Sequence, residues 1–144
     1  MKKIISATLL LAISIFANGL FAQQVSKDQM KIFQTDNLQG FKTAFTQQEY
    51  NKCFNIKDRS YDLLSLAVRH ERKNNFEFLI NNTTDINRIC GNNTPLIVAA
   101  TYGRIDMAKA LLKKGANKST KNSKGETAKD IAVKNNHPEL AKIL

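Results

Sequence analysis

From Asp62 onward the chain repeats itself at intervals of 32 and 33 residues, and that period constrains the fold more than any other feature. Laying Thr94 over Thr127 matches Ala99 with Ala132, Met107 with Leu140 and Leu111 with Leu144. Laying Asp62 over Thr94 matches Leu64 with Leu96, Ala67 with Ala99, Leu79-Ile80 with Leu111-Leu112, and Asp85 with Asn117. A weaker copy lies upstream, with Met30, Ile32 and Phe33 in a first helix and Leu38, Phe41, Ala44 and Phe45 in a second. Four copies fit, the first degenerate and the last truncated.

Each copy reads as two short amphipathic helices. Thr94-Pro95 is a helix start, because the hydroxyl can cap free N–H groups and proline in the first turn needs no donor. The helix from Pro95 to Tyr102 packs through Leu96, Ala99 and Ala100, and Gly103 permits the reversal. A second helix runs from about Ile105 to Lys114 with Met107, Ala110 and Leu111 at helical spacing, and Gly115 ends it. Helices this short cannot bury their apolar stripes in isolated pairs, so stacking of neighbours must supply the core.

The segment TPLIVAATYGRIDMAKALLKKGAN resembles an ankyrin repeat, and GETAKDIAVKNNHPELAKIL resembles a closing one. The resemblance is strong over 87–144, moderate over 58–87 and weak over 27–57. Ile97 stands in place of the histidine that follows TPL, Asp62-Leu63-Leu64 replaces TPL, and Thr83-Thr84 replaces the Gly-Ala pair. The fold expected is an all-α solenoid of about four stacked helix-turn-helix repeats over 23–144. Its repeats are read at 27–57, 58–90, 91–123 and 124–144.

Residues 1–22 read as a signal peptide. Lys2 and Lys3 precede an almost wholly apolar run from Ile4 to Phe16, and the small residues Ala17, Gly19 and Ala22 follow. Cleavage is expected after Ala22. The rival reading, an uncleaved anchor, meets a run of roughly 13 residues where a span takes about 20. The mature chain would then have no membrane span and would work in the periplasm or as a secreted protein, as a monomer.

Function classes narrow by elimination. With two cysteines, two histidines and no tryptophan, the chain is not a disulfide-dense scaffold, and a Cys/His zinc or haem site is not expected. There is no Gly-rich phosphate loop, no H-E-x-x-H and no calcium loop, so neither metal nor cofactor is expected. His70 and His137 fall on analogous inter-helix turns of different repeats, and only a His70-centred site keeps an enzyme reading open; the expected answer is no enzyme. Charge is uneven: residues 100–144 hold ten basic and four acidic side chains, against ten and eight in 23–99. Such a field steers acidic partners. The lysines lack interleaved aromatics, and export removes the usual target, so nucleic acid is not expected.

The resemblance also implies where a partner would sit, on finger-like turns and first-helix ends. Carried onto this chain, the fingers offer Arg88, Ile89, Asn92, Asn93, Lys121, Asn122 and Lys124, and the first-helix ends offer Arg69, His70, Thr101, Tyr102 and Arg104. Tyr102 is the leading anchor, since aromatic and Arg side chains dominate binding energetics; the alternative is that it packs against the next helix pair. Cys53 and Cys90 fall in connectors that the resemblance makes adjacent fingers, so either a disulfide or two unpaired, half-buried thiols is expected. The function anticipated is non-enzymatic binding of a protein partner. The alternatives are an immunity or inhibitor protein that neutralises a toxin or co-exported enzyme, and a binder of anionic envelope polymer through the lysine-rich end.

Overall fold

The structure, a computed structural model, describes residues 24–144. The expected signal peptide lies outside the described residues. Within them, eight α-helices form four consecutive pairs: α1 (Lys27–Gln34) with α2 (Leu38–Ala44), α3 (Leu63–His70) with α4 (Lys73–Asn82), α5 (Pro95–Tyr102) with α6 (Ile105–Lys113), and α7 (Ala128–Lys134) with α8 (Pro138–Ile143). A short 3₁₀ turn, Gln47–Asn51, follows α2. A two-stranded antiparallel hairpin, β1 (Phe54–Ile56) and β2 (Arg59–Tyr61), precedes α3.

The sequence sets these boundaries through repeated local devices. First helices start on a side-chain cap: Ser26, Asp62, Thr94 and Thr127 each accept a hydrogen bond from a backbone N–H three residues on. Each pair then reverses on one residue in the left-handed region, Asp36, Glu71, Gly103 or Asn136. Only the third of these is a glycine, and it is tightly confined. A Cβ at Gly103 would lie 2.7 Å from Cε1 of His137, so the ring of the last repeat packs directly on this turn. His137 begins α8 but makes no side-chain cap bond.

The first helices stack in a row, α3 against α5 and α5 against α7, while α2 meets α4 and α6 meets α8 in a second layer. Small residues make the close approach possible. Ala67, Ala99 and Ala132 sit at one repeat position and are wholly buried. Val68 and Ala100 are buried beneath the following pair, whereas their counterpart Val133 in the last repeat is 63% exposed.

The divergent first pair is held by different chemistry. Phe41 is fully buried, and its ring lies 5.0–6.1 Å from those of Phe33, Phe45, Tyr50 and Phe78, the last contributed by α4 of the next repeat. Aromatic rings at such separations add to simple burial.

Polar clips tie each turn to its neighbour. The Asp36 carboxylate accepts from the amides of Asn74 and Asn75 at 3.1 and 2.9 Å, capping α4 from the preceding repeat. Asn75, itself wholly buried, donates its side-chain amide to the Phe33 carbonyl at 3.0 Å. Among the connectors, Asn51 accepts from the Thr84 amide at 2.8 Å, and Asn87 accepts from the Asn117 amide at 2.7 Å. The Thr83-Thr84 pair thus replaces Gly-Ala with hydroxyls that also bond Asn51. At the head of α3, burial pushes the Asp62 carboxyl above the usual carboxylate range, against the hydrogen bonds from Ser65 that favour its charge.

Candidate functional site

Three fingers precede α3, α5 and α7. The first is the β1–β2 hairpin, which turns at Lys57 with φ 57°. The second closes at the Cys90–Asn93 bridge through Gly91, and the third at the Lys121–Thr127 bridge through Gly125. Phe54 and Tyr61 root the hairpin in the core. Cys53, just before β1, is joined by a disulfide to Cys90 in the second finger, with Cα atoms 5.5 Å apart. Two fingers are therefore covalently fixed side by side.

Between the fingers and the first helices runs a groove of about 380 Å³. Its finger wall is formed by segments 58–61, 91–93 and 122–124; Thr101, Ile131, Lys134 and Asn135 supply the helix side. Five residues singled out in the sequence reach this groove: Asn92, Asn93, Thr101, Asn122 and Lys124. They are not equally available. The side-chain Oδ1 of Asn122 accepts from the backbone amides of Lys124 and Glu126 at 2.9 and 3.0 Å, and its NH₂ donates to the Glu126 carboxylate at 2.9 Å. Asn122 is thus the organiser of the third finger. Thr101 donates its hydroxyl to the Ile97 carbonyl at 2.8 Å. Asn92 and Lys124 stand exposed at the tips. Lys134 bridges to Glu126 at 2.7 Å, and that bond, with the one from Asn122, holds the Glu126 carboxyl below its ordinary range.

The remaining candidates lie elsewhere. Lys121 is exposed at the base of the third finger. Arg88 is half-buried and its charge acts on the Asp62 carboxylate. Ile89 is 55% exposed beside Cys90. Arg69, His70, Tyr102 and Arg104 gather at the far ends of α3 and α5. The Arg69 guanidinium lies 5.1 Å from the Tyr61 ring centre and 5.7 Å from that of Tyr102, stacked on both. Burial, and then Tyr61, raise the pKa of the Tyr102 hydroxyl, which stays protonated at neutral pH. Arg104 bridges to Glu71 at 2.8 Å, linking two repeats. Burial, followed by Arg69, Arg72 and Arg104, lowers the pKa of His70, so its imidazole is neutral at pH 7.

The groove residues that sequence reasoning missed include those of the hairpin, Asp58, Arg59, Ser60 and Tyr61, with Ser123 and Glu126 of the third finger and Lys134 and Asn135 of the last repeat. The apolar positions Phe54, Ile56 and Tyr61 were the only available signal, since the two-residue Lys57-Asp58 turn lacks the Asn-Gly or Asp-Gly marker of a tight hairpin. Among the described residues, no group of three or more His, Cys, Asp or Glu is placed to hold a metal ion. Among the same residues, no helix is long and apolar enough to cross a membrane.

A family model described as ankyrin repeats (3 copies) matches residues 64–144. No curated protein matches the chain.

Proposed function

Since this chain belongs to the ankyrin-repeat family, whose members are non-enzymatic protein–protein interaction modules, we propose that it is an exported binding protein that seats its partner in the groove beside the fingers. The observation that carries this reading is the convergence of fingers from three successive repeats on one groove. A surface shared by three repeats presents one contiguous polar patch, and its fingers are already rigid. The disulfide fixes two of them and Asn122 fixes the third, so little ordering is left for the binding event. Export is supported by the charged, apolar and small-residue order of the first 22 residues, and by a disulfide, which persists in oxidising compartments. The reading makes the protein a non-catalytic, monomeric binder acting in the periplasm or outside the cell.

The test is site-specific photo-crosslinking from the mature chain in an envelope extract. A crosslinking residue at Asn92 or Ser123 should capture the same protein in a one-to-one adduct, while one at Lys109, on the outer helix α6, should not. Capture of that protein from Lys109 with equal yield would place binding on the other face.

A further inference from the structure

The turn at the end of α3 gathers more fixed positive charge than the fold uses. Arg69 and Arg72 flank the reversal at Glu71, and Arg104 reaches across from the next repeat, its Nη1 on the Glu71 carboxylate at 2.8 Å and its Nη2 on the Arg69 carbonyl at 3.4 Å. Of the three guanidiniums only that of Arg104 pairs with the Glu71 carboxylate, and all three act on His70, which lies among them. The stacking of Arg69 on Tyr61 and Tyr102 holds its planar head in place, where a lysine would swing freely. The Nε atoms of Arg72 and Arg104 are buried and meet no acceptor among the described residues. Buried donors without acceptors are costly, and they leave this turn with more donors than acceptors.

We propose that Arg69, Arg72 and Arg104 form a carboxylate-binding site that anchors an acidic, aspartate- or glutamate-bearing segment of the protein partner. The inference rests on the reading of the chain as a protein-binding module and adds the chemistry of what it binds. A carboxylate is assigned because the anion that Arg104 already holds, Glu71, is one, bound through a charge-assisted bond of the kind guanidinium forms well. Glu71 is therefore an internal competitor: half-exposed at 49%, it satisfies Arg104 when no partner is present. His70, neutral at pH 7, adds a polar group to the site without adding charge. The excess of basic over acidic residues in the whole chain would speed the approach of such a segment, but only the arginine cluster offers fixed donors.

The experiment titrates a fluorescein-labelled oligoglutamate peptide onto the mature chain at constant ionic strength, with fluorescence anisotropy as readout. Replacing Arg72→Gln with Arg104→Gln should weaken binding about tenfold. The pair Lys113→Gln with Lys114→Gln removes the same charge from the end of α6 and should change binding by less than about twofold. Glu71→Gln, which keeps the side chain's shape but frees Arg104, should strengthen binding about threefold. Equal losses from the two double variants, or weakening by Glu71→Gln, would overturn the proposal. So would displacement of the peptide by inorganic phosphate where acetate of equal ionic strength has no effect. Retention of the peptide by the arginine variant, alongside crosslinking from Asn92 and Ser123, would remove this site and leave the groove reading standing.

Discussion

Replacing Cys53 and Cys90 together by serine should lower the melting temperature of the mature chain by about 10 °C, with dithiothreitol treatment of the unaltered chain giving a similar drop. The bond joins residues 37 apart in sequence. Cross-linking a loop of that size restricts the unfolded chain and is worth about 2–4 kcal/mol. The native fingers lose little else. Phe54 and Tyr61 keep the hairpin rooted in the core, and the Asp36 and Asn75 bonds still tie the first helix pair to the second. The far-ultraviolet circular dichroism at 25 °C should therefore be unchanged while the transition moves. A shift below about 3 °C would mean that the disulfide contributes almost nothing to the stack, contrary to the chain-entropy account.

Phe41→Ala should cost about 3–5 kcal/mol, the usual range for emptying a buried phenylalanine site. Its ring is wholly buried and touches four other aromatic rings, including Phe78 of the second pair. The loss falls on the one place where repeat-like packing is replaced by aromatic packing. Denaturant unfolding should then separate into two steps, with α1 and α2 leaving first and the helices from Leu63 onward unfolding later. The urea midpoint, with helix content and an N-terminal fluorescent label followed in parallel, checks this. Coincident transitions with a loss below about 1 kcal/mol would show that Phe41 does not join the first pair to the rest.

How far the sequence reveals the molecule depends on how local each device is. Thr94-Pro95 announces α5 by itself, and α5 runs from Pro95 to Tyr102 as the spacing implies. Gly103 and Gly115, with φ 65° and 93°, mark their turns by residue type. The equivalent reversals at Asp36 and Asn136 carry only the weaker marker that Asp and Asn give, Glu71 carries none, and all three are legible chiefly through the period. The hairpin at Phe54–Tyr61 hides for the same reason, since Lys57 adopts a conformation usually left to glycine. Contacts between repeats are harder still. Nothing in the order of residues says that Asp36 caps α4, that Arg104 reaches Glu71, or that Arg69 slides between Tyr61 and Tyr102. Each depends on the rotation from one helix pair to the next. The candidate binding residues divided along this line: finger positions such as Asn92, Asn93 and Lys124 follow from the repeat pattern and line the groove, whereas Tyr102 and Arg104 join a separate cluster built by inter-repeat contacts.

The most direct measurement of the stacked architecture is amide hydrogen exchange, followed by NMR, at Asn75 and Asn117. Neither N–H is bonded to its own repeat: Asn75 donates to Asp36 at 2.9 Å and Asn117 to Asn87 at 2.7 Å, each a side chain of the unit before. If the four pairs form one continuous stack, both amides should exchange slowly, within about tenfold of the buried helical amides of α5. Exchange at both positions at the rate of an unstructured peptide would show that the pairs do not lock to one another, and the groove and the arginine site, each built from more than one repeat, would fall with that result.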